Sequence, residues 1–438
     1  MGKSSIVYVM GLSCLIAISL RNISDSSTSS MDAYTNYYAR TMAHNVVAAG
    51  ANVAVGRFLR DTSTAGGAFS IGGGDVTYGF QNVGDTLVVM TAMSHLNVET
   101  GIGADKGAKR DTIVVAMKHP PFSMYGWFTD QEVNGYRDSS GALSPFSGQA
   151  DWKITGDSVW GPAHTNGHFN LAGTPYFHDR VTAGSAPTIT KFKPTDKPVF
   201  DNGNQWGIKV DRPKSNIDNL QSVAASDGLL FQDQDVGLTF NSDGTVHIKI
   251  PPSTGAIRDT TAALASIVKN PTNGIVIGVK NGDLRIKGTY SGNITLGAFS
   301  NSSGKKGNVW IDGNGIVAAN DPSTNPNSND MLGIVADRFV YISKDGSRNS
   351  SSVVNIQASI YSQNGELTAE DFWKGGLQGT VKLFGGVIQK TAGSLGTFDS
   401  GGIKTGFFYN IKFDERFRSR STFAFPKRAW IIATWWEN

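Results

Sequence analysis

The sequence predicts a mainly β protein with one long N-terminal α-helix. A small antiparallel meander should come after the helix, then a parallel β-solenoid, with a β-sandwich as the alternative for that last part. Three observations carry this. Glycine supplies 52 of 438 residues, well above the usual share, which excludes a helical bundle. No proline precedes Pro120, so nothing forces an early helix to stop. From Trp127 onward, short runs rich in β-branched and aromatic residues alternate with Gly, Asn and Asp.

Composition narrows the function classes. With 39 % hydrophobic and 10 % aromatic residues the chain can bury a sizeable core, which excludes disorder. Its 39 basic and 36 acidic residues leave a net charge of +3, too balanced for a grip on nucleic acid. The single cysteine, Cys14, excludes an internal disulfide and a Cys-rich zinc site. The expected division is a helix over 1–62, a meander over 63–125, a solenoid body over 126–420 and a closing strand over 421–438.

Residues 4–20 carry no charge and are bracketed by Lys3 and Arg21. As a helix they span about 25 Å, close to the hydrocarbon layer of a bilayer. A cleaved secretory signal, a buried core helix and a retained membrane helix all fit that run. The residues beyond Arg21 favour the retained helix. Past a Ser/Thr-rich stretch, Tyr34, Tyr38, Met42, Val46, Ala49 and Val53 recur at steps of three and four, one face of a helix. Ala39, Ala43, Ala48 and Ala51 permit close packing. The expectation is one helix from about residue 4 to Asp61. Its anchor in membrane lipid would be Ile6, Val7, Val9, Leu12, Leu15, Ile16, Ile18 and Leu20, and Tyr34 to Val53 would be its packing stripe.

An uncharged N-terminal run, a more polar helix with small residues four apart at Ala39 and Ala43, and then a meander together resemble the minor-pilin-like proteins of type IV pilus and type II secretion systems. The resemblance implies a membrane helix that can pass into a filament stem beside other pilin-like subunits. That family's processing site has Gly followed by Phe or Met, with Glu at the fifth mature position. Here Gly2-Lys3 and Val7 stand at those places.

Residues 61–74 (DTSTAGGAFSIGGG) read as a hinge ending the helix. Strands are expected at 76–80, 86–93 and 112–117, with a hairpin loop over 101–110. In the body, strands are expected at 275–279, 284–286, 293–296, 308–311, 315–318, 334–336, 339–342, 354–360, 366–369 and 381–388. Equivalent pieces at Leu332, Val354 and Val381, 22 and 27 residues apart, suit the coils of a solenoid. Residues 257–269 (IRDTTAALASIVK) read as a lone helix. Segment 159–181 (VWGPAHTNGHFNLAGTPYFHDRV), with 121–123, 127–129, the coil-like 355–370 and the strand 383–388, resembles a family of uncharacterised bacterial surface proteins. Those proteins have pilin-like N-termini and a Gly-Pro-x-His-Thr-Asn-Gly turn that opens a β-solenoid.

Several side-chain groups carry candidate chemistry. His164, His168 and His178, with Asp179, lie close enough in sequence to be weighed as metal ligands, but a turn satisfying backbone groups fits them better. Asp233 and Asp235 have the spacing of a paired-carboxylate site, yet read equally as a turn. Gly72–Gly74 and Gly375–Gly376 lack the context of a nucleotide loop. The polar loop 321–329 lacks the acidic ladder of a calcium site. The expectation is therefore no catalytic residue, no cofactor and no metal. Trp430, Trp435 and Trp436 read as a final strand plugging the core, with Trp435 and Trp436 as candidate surface contacts, for a glycan or a partner subunit. Tyr409, Asp414 and Arg416 are expected to lock the last coil.

These readings converge on a non-enzymatic protein displayed outside the cytoplasmic membrane on a pilin-like helix, or in a filament at the cell surface. The alternatives are a secreted carbohydrate-binding or carbohydrate-cleaving β-helix protein and an adhesin or surface-layer component.

Overall fold

A computed structural model describes residues 3–83, 87–98, 107–137, 142–184, 189–251, 258–300, 306–399 and 402–437. The chain is mainly β with one long N-terminal helix, and it divides into two compact units. The first comprises residues 1–119 and 429–438, and the second is the intervening 120–428. The second unit is thus an insertion within the first, a division that differs from the expected breaks at 125 and 420.

Helix α1 (Lys3–Arg60) is unbroken. Within its Ser/Thr-rich stretch, Thr28, Ser30 and Thr35 donate to the carbonyls four residues back, which satisfies their hydroxyls without breaking the helix. The helix stops at Asp61, whose carboxylate accepts from the Ser63 amide at 3.0 Å. Arg57 and Arg60 in the last turn suit the negative end of the helix dipole.

The expected packing stripe is displaced. Tyr34 and Tyr38 are 71 % and 57 % exposed, Val53 is exposed, Met42 and Ala49 are half-buried, and only Val46 is buried. The buried face is Ala39, Ala43, Val46, Val47, Ala51, Ala54, Val55 and Phe58. A helix lying flat on a sheet needs small side chains where the backbones approach, so the alanine row wins over the tyrosine row. Gly50 marks the closest approach, since a Cβ there would lie 2.6 Å from both Val76 methyls. Gly50→Ala is expected to destabilise the first unit by about 1–3 kcal/mol in thermal unfolding. Gly56→Ala, in open space on the same helix, should instead stabilise it by up to about 1 kcal/mol.

The sheet facing α1 runs β1 (Gly67–Ile71), β2 (Gly74–Asn82), β3 (Leu87–Val98), β5 (Thr112–Lys118) and the C-terminal strand Ile431–Glu437, all antiparallel, with β4 (Gly107–Lys109) on β3. Part of the expected hinge is therefore strand β1, joined to β2 by Gly72 and Gly73, both at positive φ. Residues 99–106, most of the expected hairpin loop, and Thr86 lie outside the described residues. Alternation puts Val76, Tyr78, Met90, Ala92, Val115 and Met117 on the helix side.

The second unit is built on parallel ladders. One runs through Leu229–Gln232, Ile275–Lys280, Asn293–Phe299, Met331–Ala336, Val353–Ser362 and Leu377–Thr391. It continues on Trp127–Gln131, then Ala163–Thr165, Val181–Ala183 and Asn204–Trp206. In-register side chains stack along it: Ile277, Leu296, Ile334, Ile360, Val387, Trp127, Ala163 and Val181, each 0 or 1 % exposed. A second ladder aligns Leu238, Ile286, Ile311, Ile342 and Ala369. Parallel pairing is not what a sandwich of hairpins requires.

Every strand expected in the second half exists, but two expectations need correction. Val354 does pair with Val381, whereas Ile334 pairs with Ile360, so Leu332 is not in phase with Val354. Within 257–269, Arg258–Ala263 is a strand antiparallel to Thr245–Ile250, and only Leu264–Ile267 is helical. Ile257 lies outside the described residues. Cross-strand pairing of the Thr260 and Thr261 backbone beats the short helical periodicity.

The ladder order is not the chain order. The unit starts mid-ladder at Trp127 and winds to Trp206. It then returns along the flank through 207–214 and α2 (Ser215–Ser226), and restarts at Leu229 at the other end. The return path is fastened by Val210 N to Asn166 Oδ1 at 2.8 Å and Arg212 Nη1 to the Ser362 carbonyl at 2.8 Å. Ile217, Leu220 and Ala224 of α2 pack on Val276, Phe299, Val335, Tyr361 and Ile388, the row pointing away from the inner stack. The last strand of the series, Leu377–Thr391, meets the first, Trp127–Gln131, at a seam.

Candidate functional site

The anchor residues expected from sequence all lie on the free part of α1. Ile6, Val7, Val9, Leu12, Leu15, Ile16, Ile18 and Leu20 are 51–69 % exposed. This helix is long and apolar enough to cross a membrane, with a mean hydropathy of 1.8 in its most apolar window. Trp435 packs against the helix–sheet core of the first unit, while Trp436 is 50 % exposed. Their strand, Ile431–Glu437, completes the antiparallel sheet by pairing with β5 and does not plug the inserted body.

The other sequence candidates are held apart. His164 is fully buried between Thr182 Oγ1 at 2.7 Å and Asn166 Oδ1 at 3.0 Å, and burial holds its imidazole down to about 4. His168 is exposed, and His178 stacks on Trp160 and bonds Asp201 at 2.9 Å. Asp179 engages Arg418. Asp233 accepts from Asn281 at 2.7 Å, and Asp235 pairs with Lys306 at 2.8 Å. Asp321 accepts from the Ser323 amide and from Gln357. Among the described residues, no three His, Cys, Asp or Glu side chains converge as a metal site. Arg416, held by Asp414 Oδ2 at 2.6 Å, donates from Nη1 to the Ser328 and Asp330 carbonyls at 2.7 and 3.0 Å. Tyr409 does not join them.

Tyr409 instead lines a cavity of about 340 Å³ at the seam, between residues 127–159 and 393–411. Strand Trp152–Ile154 is an edge here, paired on one side only with Phe169–Ala172. The chain that would continue the ladder on its other side departs into the hairpin of Gly396–Asp399 and Gly402–Lys412. The gap between them is the cavity.

Asp151, Lys153 and Asp157 line it, and with Glu132 behind them they form a buried charge cluster. Lys153 Nζ lies 2.5 Å from Asp151 Oδ2, 3.9 Å from Glu132 Oε2 and 4.0 Å from the centre of the Trp127 ring. Burial opposes the lysine's charge, but Asp151 and Glu132 outweigh it and hold the ammonium above the usual range. Burial pushes the Glu132 carboxyl up, with Lys153 pulling against it. Asp157 is pushed up to about 6, again by burial, although its Oδ2 accepts from the Ile154 amide at 2.7 Å. Asp151 Oδ1 accepts from Ser394 across the seam at 3.1 Å.

Asn134 and Tyr409 complete the wall. The Asn134 Nδ2 and the Tyr409 hydroxyl are buried and lack a hydrogen-bond partner among the described residues. Phe398, 43 % exposed, and Phe407 add apolar surface. The sequence singled out none of these acids. Glu132 and Asp157 sit more than 230 residues from Ser394 and Tyr409, and no local pattern joins them. The one available signal was a lysine in the strand Trp-Lys-Ile, where a half-buried strand seldom places an unpaired charge.

Residues 97–186 match a family model described as a domain of unknown function (DUF4900). The match takes in part of the first sheet, the start of the inserted unit and the floor of the cavity. No curated protein matches the chain. No solved structure matches it either.

Proposed function

We propose that this chain is a non-enzymatic, pilin-like structural protein. Its N-terminal helix is held in the cytoplasmic membrane or in a filament stem, and it displays a β-solenoid outside the cell. One observation carries the reading. A single unbroken helix buries one face from Ala39 to Phe58 against its own sheet, while the apolar side chains of its first third are exposed among the described residues. Leaving eight large apolar side chains in water forgoes about 1.5–3 kcal/mol for each one. Lipid removes that cost. A neighbouring helix of the same kind does so in a stem.

The solenoid reading rests on parallel ladders whose inner rows stack the same type of side chain rung after rung. Its wall would offer a long flat surface for contact, as an adhesin or a surface-layer component does.

Fractionation tests the anchor. The full chain is expected in the membrane fraction, released by detergent and not by carbonate or high salt. A chain lacking residues 1–23 is expected in the soluble fraction with its thermal transitions unchanged, because the apolar side chains of that segment are exposed. A mature N-terminus near residue 20, or release by carbonate alone, would overturn the reading.

A further inference from the structure

We propose that an open groove on the outer wall of the inserted unit binds a linear acidic polysaccharide, a chain of sugar rings bearing carboxylates. This names what a displayed wall would contact and rests on the display reading for its setting alone. Binding in solution is read separately from fractionation, so either can fail without the other.

Strand register builds the groove. On Val353–Ser362, Leu377–Thr391 and Gly402–Lys412, the aligned side chains of Ile356, Leu383 and Ile411 are buried in the stack. Their neighbours along each strand face outward. Asn355, Lys382 and Asn410 therefore form one outer row, and Gln357, Phe384 and Lys412 the next. Two open depressions of about 480 and 330 Å³ follow these rows and share Val317 and Asn355. The second reaches Lys287 on strand Leu284–Tyr290. Between Lys287 and Lys412 the groove crosses four strand-to-strand steps, about 19 Å at the usual spacing. A site that long and open along its outer side takes an extended chain.

Charge complementarity selects the chain. Lys287, Lys382 and Lys412 are exposed, and among the described residues none of them pairs with a carboxylate. Among those residues the carboxylate lining the groove is Asp321, whose Oδ1 already accepts from the Ser323 amide and Gln357 Nε2, both at 2.8 Å. Asp312, on the strand beside Lys287, is bound to Arg285 at 2.6 Å. Three unpaired cations along one groove attract a polyanion and repel a polycation. Between them stand the side-chain amides of Asn355 and Asn410, exposed and making no bond within the described protein. Each amide donates and accepts, as ring hydroxyls do, whereas a deoxynucleotide backbone offers acceptors only.

Aromatic rings continue the wall. Phe384 lies in the groove. Ile411 pairs with Val159, and Val159 with Phe177, which carries Trp160 and Tyr176 onto the next two rungs, 44 % and 42 % exposed. Exposed rings on a flat wall give the apolar faces of sugar rings a surface to lie on.

The test is calorimetric titration of the full chain in a zwitterionic detergent. Hexagalacturonate and a hyaluronan hexasaccharide are the probes. Cellohexaose, a chitosan hexamer and a short oligothymidylate are the comparators. At least one acidic probe should bind saturably, more tightly than any comparator and more weakly as salt is raised. Replacing Lys287, Lys382 and Lys412 together by Gln should weaken binding about 10-fold or more, with the unfolding temperature unchanged because none of the three has an internal partner. Lys390→Gln, exposed outside the groove, should leave the affinity as it is. The proposal falls if neither acidic probe binds below about 1 mM, or if cellohexaose binds as tightly. It also falls if the triple variant keeps its affinity. Tighter binding of oligothymidylate than of both acidic probes would overturn it in favour of a nucleic-acid surface.

Discussion

Gly385→Ala should destabilise the inserted unit by on the order of 4 kcal/mol, with the loss confined to that unit's unfolding transition. Gly385 sits mid-strand in Leu377–Thr391 at φ 151°, a region that side-chain-bearing residues rarely adopt. A methyl built there would stand 1.9 Å from the Ala358 carbonyl oxygen on the neighbouring strand. Two costs therefore add: backbone strain, and a collision that no rotamer relieves because the obstacle is backbone. Parallel strands lie about 4.8 Å apart, and the pairs Ile356–Leu383 and Ile360–Val387 on either side hold the register. Opening the ladder enough for a methyl would lengthen several hydrogen bonds at once. Gly376→Ala, with nothing within 4 Å, serves as the control and should change stability by no more than about 0.5 kcal/mol. Denaturant unfolding followed by tryptophan fluorescence distinguishes the two. A Gly385 variant within about 1 kcal/mol of the parent would mean the strands do not approach as closely as described.

Glu366→Gln should make the protein more stable at alkaline pH, by on the order of 3–5 kcal/mol at pH 8, with little effect near pH 4. Glu366 is fully buried. Its Oε2 accepts from the Gly135 amide and from Thr391 Oγ1, both at 2.7 Å, while its Oε1 has no partner among the described residues. Burial pushes this carboxyl up to about 8. Below its ordinary value of 4.5 both folded and unfolded chains carry the proton, and stability does not depend on it. Between 4.5 and 8 the unfolded chain releases the proton and the folded chain keeps it, so stability falls as pH rises. Above 8 both are ionised and the loss levels off. Glutamine keeps an oxygen for Gly135 and Thr391 and carries no proton to release, which removes the slope. Comparing variant with parent isolates Glu366 from His164, whose effect runs the other way. With its imidazole held down to about 4, His164 withdraws stability as pH falls from 6.5 towards 4. Unfolding free energies at pH 4, 6 and 8 read the difference, and a flat difference across that range would show that Glu366 titrates as an ordinary carboxylate.

Much of the local structure was legible because its causes are local. Helix α1 arises from a run that no proline interrupts. The strands of the second half arise from β-branched runs cut by Gly and Asn. The uncharged segment 4–20 announced a surface seeking an apolar partner. The alanine row Ala39, Ala43 and Ala51 was visible too, but a competing row of larger apolar residues looked like the better face. Only the flat sheet beneath the helix, with Val76 touching Gly50, decides between the two rows.

The remainder was settled by pairings between distant residues. Sequence periodicity states that a segment will be a strand and says nothing about which strand lies beside it, because backbone hydrogen bonds are the same for every partner. Thus Val387 sits on Trp127, the C-terminal strand pairs with β5 at the edge of the first sheet, and strand Leu377–Thr391 meets strand Trp127–Gln131. The cavity lies where strand Trp152–Ile154 pairs on one side only. Side chains from residue 134 to residue 409 come together there, although no local pattern in the sequence joins them. Amino-acid order alone determined the rod, the strands and the greasy end; three-dimensional packing decided which neighbours they would have, since desolvation and steric fit act on surfaces that do not exist until the chain has folded.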